Sequence, residues 1–415
     1  MKKIISIMLT ILVFFTFIPF YSAAAKDAPP SVSADSVVVM DAATSTILYS
    51  KNMDTAYPPA STTKIMTALL TLEKCKLDDV VKVGKNPPFA DGSKIYIFED
   101  EEIKVNDLLH GLLLSSANDC AEALAEHIGG SIEGFAKLMN KEAKRLGCKN
   151  TNFVNPSGLF NENHKTSAND LALIMRELSK YSDYTKIATT LSYNIQPTNK
   201  SSSVRPLWNE NRFIQKNSKY YYDGCIGGKT GYTTQSQHSY VCAVTRNNQK
   251  LVVALVHDGN KTFWEDTTNL LNYCFKNYEL VTLYSRGQEV TNYTSKDLTL
   301  PLLSTEDFYY VKEKGTNPTT KYTIKDKDIS KLSFKRGDKL LEADVTLDGK
   351  SIGTLKLSGG MDHETKIASI ASKATKGSIG KAVSIICGTF AGLVLLLLIR
   401  KRLIKIKRIK KKYKV

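Results

Sequence analysis

The tetrapeptide Ser-Thr-Thr-Lys at residues 61–64 has the residue types and the spacing for nucleophilic catalysis. Two prolines come just before it and an apolar run follows, so a helix is expected to begin near Ala60. Residues three apart share one face of a helix, which would bring the Lys64 amine beside the Ser61 hydroxyl. The amine could then take the serine proton, and the positive helix terminus could stabilise developing negative charge.

Two later patterns hold polar residues that could face the same pocket. Ser116 and Asn118 lie two apart where one helical pattern stops and the next starts. The run Gly-Gly-Lys-Thr-Gly-Tyr-Thr at residues 227–233 is typical of a strand that presents Lys229 and Gly231 to one face, with glycines that let a ligand approach closely. Taken singly, the three patterns also fit a helix cap with a solvated lysine, a Ser/Asn turn and a glycine-rich strand entry.

The elements that must position these residues are predicted to form one sheet with helices inserted between its strands. Alternating apolar residues predict strands near residues 37–40, 46–49, 239–244 and 250–256. Apolar residues at helical spacing predict helices at residues 105–114, 120–128, 132–146, 168–178 and 263–278. The sequence therefore predicts a mixed α/β (α+β) domain over residues 31–280, with an antiparallel sheet and an inserted helical lobe.

The chain after residue 280 is predicted to form two further parts. Short strand patterns and an Asp-Gly turn at residues 348–349 predict a small β-rich domain over residues 281–358. Residues 359–381 are polar and rich in small side chains, which is typical of a stalk.

Both ends of the chain carry signals for export and membrane attachment. A lysine pair, a long apolar run and small residues predict a secretory signal peptide over residues 1–25, with an uncleaved anchor as the alternative. Residues 382–399 hold no charged side chain and would span roughly 27 Å as a helix. A single transmembrane helix is expected there, with the basic tail at residues 400–415 in the cytoplasm and the catalytic domain outside the cell membrane. A helix lying flat on the membrane is the alternative.

The formal net charge of +16 is concentrated at the two ends of the 415-residue chain. Ten of the last sixteen residues are Lys or Arg, and Lys2 and Lys3 add two more, which leaves only +4 between them. No nucleic-acid partner is therefore expected. Seven cysteines without a Cys-x-x-Cys and six scattered histidines give no zinc pattern. Buried free thiols are favoured, with some pairing left open.

The three patterns, in this order and in a chain with export signals, resemble the Ser-x-x-Lys, Ser-x-Asn and Lys-Thr-Gly signature of the serine D-alanyl-D-alanine carboxypeptidases. These are low-molecular-mass penicillin-binding proteins, which share a fold with serine β-lactamases. The sequences of residues 59–67 and 155–159, together with His164 and Asp170, are also similar to the family. The resemblance covers about residues 31–358 and implies a β-lactamase/transpeptidase-like domain followed by the β-rich domain.

The resemblance implies a chemical role for the residues of the first two motifs. Ser61 would be the nucleophile that forms an acyl-enzyme with a peptidoglycan pentapeptide stem and releases its terminal D-alanine. Lys64 would be the base, Ser116 would relay protons to the leaving amine, and Asn118 would hydrogen-bond the substrate's backbone. β-Lactams would acylate the same serine.

The Lys-Thr-Gly strand would bind the substrate. Lys229 and Thr230 would hold the terminal carboxylate, and Lys229 would also help to lower the pKa of the catalytic lysine. Gly231 would let the strand lie close to the substrate, and the backbone N–H groups of Ser61 and Tyr232 would form an oxyanion hole. The resemblance implies no metal and no organic cofactor.

Several alternatives remain open at this point. The glycine pair at residues 227–228 and the stretch at 235–239 depart from the family pattern, which leaves rate and leaving-group preference undecided. His238 could be an extra acid-base group, although a histidine in a solvated turn is favoured. The same site could serve a peptidoglycan DD-endopeptidase, a β-lactamase that uses Glu162 to activate water, or a catalytically weak wall-binding scaffold.

Overall fold

The computed structural model describes residues 28–295, 298–365, 394–396 and 398–402. The predicted signal peptide at residues 1–25 lies outside these residues, as do most of the predicted membrane helix at 382–399 and most of the basic tail. No helix in the described ranges is both long enough and apolar enough to cross a bilayer.

The elements are numbered here in chain order. The strands are β1 (Ser36–Asp41), β2 (Ile47–Lys51), β3 (Val80–Lys82), β4 (Glu102–Lys104), β5 (Ser192–Ile195), β6 (Arg205–Trp208), β7 (Cys225–Thr233), β8 (Gln237–Arg246), β9 (Gln249–Asp258), β10 (Tyr278–Tyr284), β11 (Glu289–Ser295), β12 (Leu298–Ser304), β13 (Phe308–Glu313), β14 (Thr320–Ile324), β15 (Lys339–Leu347) and β16 (Lys350–Gly359). The α-helices are α1 (Lys64–Lys74), α2 (Val105–Leu114), α3 (Asn118–Gly129), α4 (Ile132–Leu146), α5 (Ala168–Leu178), α6 (Ser182–Ala188) and α7 (Phe263–Asn277). Short 3-10 helices cover Ala60–Thr63, Pro87–Phe89 and Arg212–Ile214.

The described chain divides into two compact units, and the first comprises the residues up to 280 together with residues 311–315. This unit is built on a five-stranded antiparallel sheet. Its strand order is β2-β1-β9-β8-β7, so strands from both ends of the unit lie side by side. The β8–β9 hairpin turns at Asn247 and Asn248, which both have positive φ, a conformation that asparagine tolerates. The predicted α/β domain, one sheet with a helical lobe inserted into it, is confirmed.

The two faces of this sheet bury separate apolar layers because side chains alternate along each strand. Val241 and Ala243 of β8 pack against the helical lobe, which α1 to α6 form. Tyr240 and Cys242 point the other way and pack in the cluster that includes α7. Helix α1 is buried from its first residue to Thr71, and this burial fixes the helix end that carries the Ser-Thr-Thr-Lys motif.

The second unit comprises residues 281–310 and the described residues after 315. Five strands in the order β11-β12-β16-β15-β14 form an antiparallel sheet, and alternate leucine, valine and alanine side chains make its core. Asp348 and Gly349 have positive φ and form the turn between β15 and β16. The strands and the turn predicted for this part of the sequence are confirmed.

The six cysteines within the described residues are all free thiols, and none of them is exposed. Burial raises the pKa of Cys120 and Cys242 well above the usual range of a thiol, so these groups stay protonated and unreactive. The expectation of unpaired cysteines is confirmed for these six.

Candidate active site

The nucleophile segment enters the helical lobe at Ser61, the second residue of the 3-10 helix. A helix start was predicted here and is confirmed, but its first turn is 3-10 and α1 follows only afterwards. Two backbone hydrogen bonds of 2.9 and 3.0 Å between Tyr57 and Thr166 fix the segment just before this turn. Ala60 has φ +50°, a conformation that costs a non-glycine residue about 1–2 kcal/mol. The surrounding structure therefore fixes the orientation of the serine.

The Lys64 side chain is completely buried, and its amine lies at the centre of the site. Nζ is 3.0 Å from Ser61 Oγ, and it donates hydrogen bonds to Asn118 Oδ1 at 2.6 Å and to Ser157 O at 2.7 Å. Burial, reinforced by the positive charge of Lys229, holds the pKa of Lys64 well below its usual range. A lysine in this environment can be a neutral amine near pH 7 and can accept the serine proton.

Ser116 and Asn118 lie at the junction between α2 and α3, and both are almost completely buried. Asn118 Nδ2 donates to Asp91 O at 2.5 Å while Oδ1 accepts from Lys64, so the amide ties the lysine to the loop before α2. Ser116 has φ +57°, a strained conformation of the kind that accumulates at functional sites. Within the described chain its hydroxyl makes no hydrogen bond to Ser61 or Lys64.

Strand β7 runs along the nucleophile segment, and Gly231 permits this close approach. A Cβ at this position would lie 2.8 Å from Pro59 O and 2.9 Å from Ser61 N, closer than real Cβ atoms come. Lys229 is 3% exposed and lies opposite Val241 in the ladder, on the face toward the helical lobe. Burial lowers its pKa to about 8. The strand therefore brings a buried cation to the site.

Thr230 and Tyr232 project from the opposite face of β7, because side chains alternate along a strand. Tyr232 is 57% exposed, and its ring stacks on His238 with centroids 4.4 Å apart. The solvated turn favoured for His238 is wrong, since the residue belongs to β8 and pairs directly with Tyr232. The ladder continues as far as Gln237, so the turn lies before this histidine.

Residues 155–159 form a loop that contacts Lys64 through the backbone oxygen of Ser157. Asn155 Oδ1 accepts from Gly158 N at 2.7 Å, and its Nδ2 donates to Leu159 O at 2.9 Å. These bonds bend the loop so that Ser157 O faces the lysine amine. Glu162, considered as a water-activating base, is exposed in the loop that follows.

His164 is a buried, neutral ring that hydrogen-bonds Thr63, the last residue of the 3-10 helix that holds Ser61. Its Nδ1 accepts from Val154 N at 3.0 Å, so the proton is on Nε2, which donates to Thr63 Oγ1 at 2.8 Å. Burial lowers the pKa of His164 to about 4. The ring therefore stays uncharged across the physiological pH range.

This histidine is expected to destabilise the first unit in acid. An unfolded chain binds the His164 proton below about pH 6.5, whereas the folded chain binds it only near pH 4, so stability falls as the pH drops between these values. The expected loss is about 3 kcal/mol by pH 4. Both tryptophans, Trp208 and Trp264, lie in the first unit, so denaturant titrations followed by their fluorescence report on it.

The matched comparison uses two histidine variants. His164→Gln should flatten this part of the pH dependence, whereas His127→Gln, at an exposed site on α3, should leave it unchanged. An equal acid loss in the native protein and His164→Gln would show that the buried ring is not responsible.

The structure gathers most of the residues predicted from sequence into one site. Hydrogen bonds or close approaches join Ser61, Lys64, Asn118 and Gly231, and the charge of Lys229 acts on Lys64. Sequence reasoning missed the backbone carbonyls of Asp91 and Ser157, which leave no residue-type signature, and the carboxylate of Glu210, whose charge acts on both lysines. An isolated acid in a loop carries no signal that could have identified it.

A sheet with an inserted helical lobe, and a serine beside a buried lysine at the lobe's first helix, define a serine hydrolase with the penicillin-binding-protein fold. Residues 23–260 match the family model of D-alanyl-D-alanine carboxypeptidase, and residues 278–365 match that of the C-terminal domain of penicillin-binding protein 5. The chain belongs to the D-alanyl-D-alanine carboxypeptidase family and is a serine-type enzyme of this class.

Similar proteins in sequence and in structure are described as D-alanyl-D-alanine carboxypeptidases or as penicillin-binding proteins. D-alanyl-D-alanine carboxypeptidase DacF of Bacillus subtilis is 34% identical over 369 residues, which cover 84% of this chain and 92% of DacF. Penicillin binding protein 5 from Haemophilus influenzae is 28% identical with a TM-score of 0.67, over 81% of this chain and 99% of that one. D-alanyl-D-alanine carboxypeptidase from Mycobacterium tuberculosis is 28% identical with a TM-score of 0.56, over 61% of this chain and 94% of its own.

Proposed function

We propose that Ser61 removes the terminal D-alanine from peptidoglycan pentapeptide stems through an acyl-enzyme. The observation that carries this proposal is the distance of 3.0 Å between Ser61 Oγ and the fully buried amine of Lys64. The neutral amine takes the hydroxyl proton as Oγ attacks the carbonyl carbon of the penultimate D-alanine. The C–N bond breaks, the terminal D-alanine leaves as its amine, and water later releases the shortened stem.

The remaining site residues bind the substrate and move protons in this proposal. Ser116 passes a proton to the leaving amine, and Asn118 hydrogen-bonds the backbone of the stem. Lys229, whose amine donates to Thr230 O at 3.0 Å, and the Thr230 hydroxyl hold the terminal carboxylate. Burial of Lys229 supports this role, because a desolvated cation attracts a carboxylate more strongly than an exposed one.

The carbonyl oxygen of the substrate is proposed to sit in an oxyanion hole. Its two donors are the backbone N–H groups of Ser61 and Tyr232, and Gly231 lets strand β7 lie close to the 3-10 helix that holds Ser61. Loss of one such donor typically costs about 3 kcal/mol of transition-state stabilisation, so the rigid pairing of β7 with β8 supports this arrangement.

The export and membrane signals of the sequence lead us to place the enzyme at the outer side of the cell membrane. The proposed organisation is a signal peptide at 1–25, a catalytic domain at 31–280, a β-rich domain at 281–358 and a stalk at 359–381. A transmembrane helix at 382–399 and a cytoplasmic tail at 400–415 complete it. Membrane-fraction analysis of the full chain, with and without residues 382–415, tests the anchor.

Intact-mass measurement after treatment with benzylpenicillin tests the acyl-enzyme directly. One covalent adduct is expected on the native protein and none on Ser61→Ala, because the adduct needs the serine oxygen. An adduct of equal yield on Ser61→Ala would refute the assigned nucleophile. Digestion of soluble muropeptides with and without cross-links then separates carboxypeptidase from endopeptidase activity, and acylation without D-alanine release would indicate a binding protein.

A further inference from the structure

Glu210 is an exposed residue whose backbone is held by the two asparagines on either side of it. Asn209 Nδ2 donates to Ala188 O at 2.9 Å, and Asn211 Oδ1 accepts from Tyr240 Oη at 2.9 Å. Both asparagines are almost completely buried, so their side chains point into the protein and fix the backbone between them. The intervening residue is therefore presented to solvent from a rigid loop.

A backbone hydrogen bond places this loop beside the junction that carries Ser116. Glu210 N donates to Leu114 O at 3.3 Å, and Leu114 is the last residue of α2, two positions before Ser116. The loop thus lies against the same helix end that contributes the serine of the second motif.

The charge of Glu210 acts on both lysines of the site. Burial lowers the pKa of Lys229, and the negative charge of Glu210 raises it in part. Burial and the charge of Lys229 lower the pKa of Lys64, and Glu210 again acts in the opposite direction. Asp119 and Cys120 also act on Lys64, but both are completely buried in α3. Glu210 is exposed and its charge acts on both lysines, so a substrate carboxylate bound by Lys229 would also meet that charge.

We propose that Glu210 is a specificity-determining residue that limits the affinity of the site for the substrate's terminal carboxylate. The inference rests on the proposed function, in which Lys229 binds that carboxylate. A second negative charge beside the cation weakens carboxylate binding, so the site favours leaving residues that bring a single carboxylate and disfavours those that bring more negative charge.

The test compares the native protein with Glu210→Gln and with Glu99→Gln, which removes the same charge from an exposed loop position outside the groups that act on either lysine. At pH 6.5, Glu210→Gln is expected to lower KM for an N-acylated peptide ending in D-Ala-D-Ala. It should also raise the second-order rate of acylation by benzylpenicillin, by about threefold to tenfold for one partly screened charge. A peptide ending in D-Ala-D-Ala amide should show no such gain.

The pH dependence gives a second readout that a structural defect would not produce. Loss of Glu210 should lower the pKa of Lys229 from about 8, because a negative charge no longer stabilises the ammonium form. Binding of the carboxylate peptide should therefore weaken at a lower pH in Glu210→Gln than in the native protein, even though it is tighter at pH 6.5.

The outcomes separate this inference from the proposed function. Normal acylation of the native protein with unchanged KM and rate in Glu210→Gln would overturn the role of Glu210 alone, as would equal changes with the acid and the amide peptides. An equal gain in Glu99→Gln would also overturn it, since any lost charge would then suffice. Absence of acylation in the native protein would overturn the acyl-enzyme, and this inference with it.

Discussion

Replacement of Lys64 by methionine is expected to lower the rate of acylation by benzylpenicillin by about 10²–10⁴-fold, the range for loss of a general base. Methionine keeps most of the length and volume of the buried side chain but has no amine to accept the Ser61 proton. Two acceptors, Asn118 Oδ1 and Ser157 O, lose their donor, so the variant should also be less stable by about 1–3 kcal/mol for each. Stopped-flow acylation kinetics and tryptophan fluorescence measure the two effects.

Lys51→Met is the matched control for this change. The Lys51 amine in β2 also donates to two backbone carbonyls, Val32 O at 3.0 Å and Ala34 O at 2.8 Å, but it lies outside the site. It should lose stability without losing acylation in the folded protein. If Lys64→Met is acylated at a rate within tenfold of the native protein, another group must be the base.

Gly158→Ala is expected to damage both the fold and the catalytic rate. Gly158 has φ +87°, and a Cβ on it would lie 1.9 Å from Ala60 O, so the carbonyl next to the nucleophile must move. Overpacking of this kind typically costs about 1–3 kcal/mol, in addition to the strain of the left-handed conformation. Displacement of a catalytic group by about 1 Å can cost about 100-fold in rate, and we expect a loss of this order in benzylpenicillin acylation.

Gly147→Ala isolates the contribution of the clash. Gly147 has φ +88°, almost the same backbone conformation, but no atom lies within 4 Å of the added Cβ. This variant should carry only the conformational cost of about 1–2 kcal/mol and keep the native acylation rate. Equal losses of stability and rate in the two variants would mean that contact with the nucleophile segment is unimportant.

The sequence by itself determined the features that depend on neighbours along the chain. The three-residue spacing of Ser61 and Lys64 predicts their contact, because helical geometry brings such residues together whatever surrounds them. The alternation around Lys229 and the turn residues of the hairpins predicted faces and connections for the same reason. Apolar periodicity also predicted helices α2 to α5 and α7 and strands β1, β2, β8 and β9, since burial on one face imposes that period on the sequence, but it did not predict helix α6 or the short strands β3 to β6.

Only the tertiary structure decided which distant groups complete the site. Lys64 contacts Asn118 and Ser157 O, which lie 54 and 93 residues away, and the second of these partners is a backbone atom without a residue signature. The positive φ of Ala60, the stack of His238 on Tyr232 and the position of Glu210 likewise depend on packing between separate elements. Local pattern sets the conformation of a segment, whereas the electrostatic environment of a buried amine is set by every element that excludes water from it.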